Sequence, residues 1–386
     1  MSISMSSGIC ERHILTSMTA LRKNNVPRYL FRAWHVGSGG APRATLNTIN
    51  AIMPHVFMPK AHPEYEKKRP SFYEMPEAQL YRMASDHYHT AHDVVSGFSS
   101  WAASLHLVLC YAMYLKKCSR EEVHVAVMDT HDLVDEALVW HVPHLIQGWD
   151  DEYLAFGRIM GEGYRAVKFY DLEQHGILNH LKEIKNGVSD MFGSNIRADM
   201  FEKPTENIWL ADVDSFRVIG SLFGKLSFPF ITALASLRPR HWRACRKAGG
   251  HGPWWHENKD SIAKFAEELR MDHVPTGLRD EPWLGSGMVD TKGFPDVEQW
   301  IDLMSMFAEL LPEQQQLPSQ APLPQVSLPL PGETEQPEAA ETGRKRKRTR
   351  EDLPPAKRAL RDRRELIYKE CRGASCGKCI ACRPAR

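Results

Sequence analysis

The chain of 386 residues has no long apolar runs, almost no net charge and, over most of its length, little cysteine. No segment approaches the roughly 18 apolar residues a helix needs to span a bilayer, so no membrane partner is expected. The N-terminus, MSISMSSGICERHI, lacks both a basic first region and a continuous apolar core, and is not expected to act as a secretory signal. A formal net charge of +1 gives no overall field, so only the distribution of charge bears on partners. Cys10, Cys110, Cys118 and Cys245 are scattered, and the default reading is reduced, buried thiols in an intracellular protein.

Apolar residues make up 42% of the chain, which permits at least one sizeable core. Residues 1–25 are polar and patternless and are expected to be a disordered tail. Residues 26–175 carry the signals of a mixed α+β domain, and 176–311 those of a helical extension packed on it. Residues 312–343 shift to Pro, Gln and Glu. Such a segment buries too little apolar surface to offset its ordering entropy, so it reads as a disordered linker. A basic segment, 344–370, and a cysteine cluster, 371–386, follow it.

Within the first domain, VHVAVMD (123–129) alternates as a strand with one buried face. YLAFGRI (153–159) and YRAVKFYDL (164–172) read as two further strands, parted by Gly161 and Gly163. Leu105, Val108, Leu109 and Ala112 form the apolar stripe of a helix that ends in Lys116 and Lys117. In the extension, Ile262, Phe265, Ala266 and Leu269 make one stripe. Val297, Trp300, Ile301, Met304, Ala308 and Leu311 make another, between Pro295 and Pro312.

Three ordered fragments stand out: LFRAWH (30–35), GFSSWAAS (97–104) and WDDEYLAFGRI (149–159). They place Arg32, Ser100 and Glu152 on separate strands or strand ends. In that order they resemble the Arg–Ser–Glu class of ADP-ribosyltransferases, with the A subunits of the cholera-toxin and heat-labile-enterotoxin group the nearest in pattern. The resemblance covers roughly 29–172 and implies a split β-sandwich with NAD in the cleft between sheets, where the three residues converge. It makes Glu152 the carboxylate that stabilises an oxocarbenium-like ribose and Asp150 the first acid of the motif, with a part in choosing the acceptor. Arg32 becomes the clamp on the NAD pyrophosphate. Ser100 becomes the hydroxyl that orients carboxylate and ribose, although Ser100-Trp101-Ala102 stands where the family has Ser-Thr-Ser. Trp34, His35 or Trp101 would stack on nicotinamide or adenine.

Each residue also has a plainer reading. Glu152 suits an acidic loop leading into a strand, and Arg32 an edge-strand arginine paired with a surface acid. Ser100 or Ser99 suits the N-cap of the helix through Leu105. His87, His89 and His92 in DHYHTAHD have the spacing of a hydrolase metal site but lack its neighbouring acid, and a polar loop is favoured. Thr130-His131-Asp132 follows a strand rather than lying on a helix, which disfavours a His-Asp phosphohydrolase pair. Val36–Gly40 lacks a P-loop lysine and reads as a flexible turn.

In the tail, Arg344–Arg350 and Lys357–Arg364 are two basic runs that suggest nuclear import or nucleic-acid contact. Cys371, Cys376, Cys379 and Cys382 supply four thiolates, enough for a tetrahedral Zn2+. CGKCIAC resembles half of a CXXC-type zinc finger, without the segment that would carry CpG recognition. Two readings follow. One is an intracellular, nuclear NAD-dependent ADP-ribosyltransferase-like protein acting on a protein or nucleic-acid acceptor. The other is a catalytically inactive nuclear protein that binds DNA or chromatin through its tail.

Overall fold

A computed structural model describes residues 24–38, 46–58, 77–89, 95–118, 122–133, 137–146, 152–186, 193–202, 208–237, 259–269 and 277–310, with 72, 75, 120 and 275. Asp150, the basic runs and the four tail cysteines lie outside the described residues.

The architecture is α+β. Among the described residues, nine strands run β1 (Tyr29–Trp34), β2 (Leu46–Asn47), β3 (Ala51–Met53), β4 (Phe98–Ala102), β5 (His124–Asp129), β6 (Leu138–His141), β7 (Glu152–Phe156), β8 (Ile159–Met160) and β9 (Tyr164–Lys168). Helix α1 (Glu77–Tyr88) precedes β4, and α2 (Leu105–Lys117) follows it. After β9 come α3 (Phe169–Gln174), α4 (Ile177–His180), α5 (Lys182–Asn186), α6 (Ser194–Glu202), α7 (Ile208–Ser221), α8 (Ser227–Ala235), α9 (Lys259–Glu268) and α10 (Pro295–Leu310). A six-stranded sheet has the order β6-β7-β4-β1-β5-β9, and a smaller sheet the order β2-β3-β8. Every registered pair is antiparallel.

The strand over 123–129 departs from the one-faced expectation, because every residue of β5 is buried. β5 lies between β1 and β9, and both α2 and the turn Gly224–Leu226 pack on it. With apolar or small residues at almost every position, no face is left for water. Two other strand readings are also corrected. The run 153–159 is divided between the sheets, since Gly157 takes φ +125° and turns the chain from β7 into β8. The run 164–172 changes type at Phe169, where α3 begins and buries Phe169 and Leu172.

The helices of the second half share one core with the large sheet. Phe31 of β1 meets Phe230 of α8 and Trp300 of α10 edge-on, with ring centroids 6.5 and 5.5 Å apart. Full burial of such a ring contributes about 1.5–3 kcal/mol. Polar contacts fasten the same seam. Ser104 Oγ accepts from Leu107 N and donates to Asp296 Oδ2 at 2.6 Å, so α2 is capped by its own serine with a carboxylate from α10 behind it. The N-cap of α2 is therefore Ser104, neither Ser99 nor Ser100.

Candidate functional site

β1, β4 and β7 are almost wholly buried, and each has a single residue that is not. These residues are Arg32 in β1, Ser100 in β4 and Glu152 in β7. The three strands are neighbours in the order β7-β4-β1. Ala102 stands opposite both Phe31 and Glu152, while Ser100 stands opposite Leu154. Ser100 and Glu152 are thus diagonal neighbours on one face, a relation that puts Cα atoms roughly 7–8 Å apart.

Arg32 enters differently. Strand alternation starts its side chain on the face opposite to Glu152. β1 pairs with β5 along its whole length, from Tyr29↔Asp129 to Trp34↔His124, but registers with β4 only at Phe31↔Ala102. Beside that single pair, Arg32 Nη1 donates to the carbonyl oxygen of Ser100 at 2.9 Å. That bond brings one end of the guanidinium to the backbone of β4 at Ser100. Its Nε is sealed from solvent and has no hydrogen-bond partner, and no carboxylate lies within ion-pairing distance among the described residues. Burial lowers the arginine's pKa; Tyr164, Tyr111 and Glu152 act in the opposite direction and favour the charge.

His87 completes the group. It sits in the last turn of α1, with Nε2 3.0 Å from Ser100 Oγ and its ring tilted against Phe98. Burial first, and the charge of Arg32 second, push its pKa down to about 3, so the imidazole is neutral at physiological pH. The polar loop expected over 86–93 is instead, as far as Tyr88, the end of a helix that delivers this ring to the site. The signal available in the sequence was the amphipathic stretch before it, with Leu80, Met83 and Ala84 buried. His89 is exposed beyond the helix, with its ring on the carbonyl of Ser85 at 2.8 Å. Among the described residues no group of three or more His, Cys, Asp or Glu could hold a metal ion.

The aromatic candidates are used elsewhere. Trp34 is buried in the core and stacks on His124 with centroids 4.1 Å apart, so one ring face is already covered. Trp101 is buried with its edge on Tyr164 and donates Nε1–H to Ser99 Oγ at 2.9 Å. His35 accepts from Gly37 N at 3.0 Å in the turn after β1.

The other arginine beside β1 is fully engaged. Arg28 donates from Nε and Nη2 to Asp129 at 2.9 Å and from Nη1 to Glu281 at 3.1 Å. Trp283 Nε1 donates to the second oxygen of Glu281. Burial opposes the Arg28 charge, but the hydrogen bonds and charge of Asp129, with Glu281, outweigh it and raise the pKa. His131, of the Thr-His-Asp run, lies in the turn after β5, 3.4 Å from Glu281. That run belongs to this ion cluster.

No helix among the described residues is long and apolar enough to cross a membrane. No curated protein and no solved structure matches the chain. A family model described as a domain of unknown function (DUF7587) matches residues 25–167, a stretch that holds β1 to β8, α1, α2 and most of β9, and with them Arg32, His87, Ser100 and Glu152.

Proposed function

We propose that the chain is an NAD-dependent ADP-ribosyltransferase-like protein whose site is built on β1, β4 and β7. The observation that carries this reading is Arg32: a guanidinium bonded to one neutral carbonyl, with a sealed, unpartnered Nε and no paired acid among the described residues. A half-buried guanidinium with a sealed Nε and no acid beside it among the described residues gains most from an anion that arrives with the ligand. A pyrophosphate matches a forked cation in charge and geometry. Ser100 and Glu152, diagonal on one face beside it, supply the hydroxyl and carboxylate that cleavage of a ribosyl bond needs.

In the reaction, the bond between the ribose carbon and the nicotinamide nitrogen breaks, and the nitrogen leaves with the electron pair as neutral nicotinamide. The cationic ribose is stabilised by the Glu152 carboxylate. An acceptor nucleophile, or water, then forms the new bond at that carbon and loses its proton. Asp150 would bear on the choice of acceptor.

The tail belongs to the same proposal on sequence grounds alone. Arg344–Arg350 and Lys357–Arg364 would direct the protein to the nucleus and contact DNA. Cys371, Cys376, Cys379 and Cys382 form a donor set that fits Zn2+.

The test is release of nicotinamide from NAD by the purified chain beside Glu152→Gln. Release by the parent that falls by two or more orders of magnitude in E152Q is expected. No release, with nuclear extract as a source of acceptor, overturns the reading. One feature favours the second reading, an inactive nuclear binding protein: Ser100-Trp101-Ala102 stands where the family has Ser-Thr-Ser.

A further inference from the structure

We propose that His87 is the positioning residue of this site: its Nε2–H donates to the Ser100 hydroxyl, so that the serine's only proton is left for the carboxylate of Glu152. The inference rests on the transferase reading. It begins from a hydroxyl's inventory of one proton and two lone pairs. With Nε2 3.0 Å from Oγ, one of the two atoms must donate to the other. If the serine donated, its proton would be held by the imidazole and Ser100 could only accept from any further partner. If the imidazole donates, the serine proton is turned away from α1. Glu152, diagonal to Ser100 on the same face, is the acceptor that the sheet register provides.

The surroundings favour orientation over proton transfer. Burial, then the charge of Arg32, keep His87 neutral, with a pKa of about 3. So weak a base draws no proton from a hydroxyl near neutral pH. A neutral ring packed against Phe98, by contrast, is a fixed donor that does not change state across the working range. Ser100 is then held at both ends, its carbonyl by Arg32 and its hydroxyl by His87. The arginine and the histidine, brought by different elements, meet on one serine.

Long-range proton–nitrogen NMR of the full chain reads the tautomer directly, with the His87 signals identified by their disappearance in His87→Gln. A ring protonated on Nε2 is expected at pH 7. In steady-state nicotinamide release, His87→Leu should lower kcat on the order of tenfold to a hundredfold. The KM for NAD should stay unchanged. H87Q, whose amide can donate in the same place, should recover most of the rate. In a Ser100→Ala background, H87L should cost nothing further, because the partner it serves is gone. A ring protonated on Nδ1, losses that simply add in the double variant, or a change confined to KM overturns the role of His87 and leaves the transferase reading standing. A parent that releases no nicotinamide overturns the transferase reading itself, and with it this role.

Discussion

Arg28 and Arg32 flank the first strand and occupy opposite electrostatic situations. Arg28 has both faces of its fork answered by Asp129 and a third nitrogen by Glu281, so its charge is neutralised within the fold. Among the described residues Arg32 has one bond, to a neutral carbonyl, and a sealed Nε with no partner. The same side chain is a rivet in one place and a receptor for negative charge in the other. What separates them is whether the chain supplies its own acids, and Asp129 and Glu281 come from segments that the rest of the fold holds in place.

Breaking the first half of the comparison should have the largest effect. Arg28→Leu strands two buried carboxylates, and loss of one partner from a buried network costs about 3–5 kcal/mol. Chemical denaturation should show that loss as a lower midpoint, and a change below about 1 kcal/mol would mean that Arg28 is not the rivet described here. Acid should act next, and on the Arg32 side. His87 has a folded pKa depressed to about 3 against about 6.5 for an unfolded chain. Between those values the unfolded state binds more protons, so stability is present above about pH 6.5 and is lost as pH falls toward 3, at up to about 1.4 kcal/mol per pH unit. His106 and His144, depressed by burial to about 3 and about 4, add slopes of the same sign. H87Q should flatten the pH dependence by the equivalent of one proton, measured as midpoints from pH 7 to pH 4.

The smallest expected change is at Arg32 itself. Arg32→Leu removes a charge that has no acid partner among the described residues, so the ligand-free protein should keep its stability within about 1 kcal/mol or gain slightly. What should disappear is stabilisation by ligand. NAD at a hundred times its dissociation constant would stabilise the parent by about 2.7 kcal/mol and leave R32L unmoved. A severe loss of stability in R32L, with NAD still shifting its melting temperature, would reverse the contrast between the two arginines.

The elements that were legible in the sequence are those whose apolar pattern is local. The stripe through Leu105, Val108, Leu109 and Ala112 gave α2, and Val297, Trp300 and Met304 gave α10, because a helix face is written at fixed spacing. β5 was legible as a strand but not as one buried on both faces, since part of its cover is the turn Gly224–Leu226, nearly a hundred residues further along the chain. Arg32, Ser100 and Glu152 were picked out in advance, and the structure places them on three adjacent strands. Their arrangement could not be read, because it depends on where β1 stops pairing with β4. His87 was visible only as one histidine among several. Its importance arises from a 3.0 Å contact between elements, which no local spacing encodes. The contacts of Trp34 with His124 and of Trp101 with Tyr164 were likewise not legible, because each joins residues far apart in the chain.

The seam between α2 and α10 bears on how this protein can be cut. The matched stretch ends inside β9, and an expression fragment trimmed to it would look complete on paper. It would nevertheless lose Asp296 from behind the Ser104 cap, Glu281 from Arg28, and the rings of Phe230 and Trp300 from Phe31. Its large sheet would face water with an apolar surface and a half-answered arginine. The shortest piece worth purifying therefore runs through Leu310, so that the limit of similarity and the limit of foldability fall in different places on this chain.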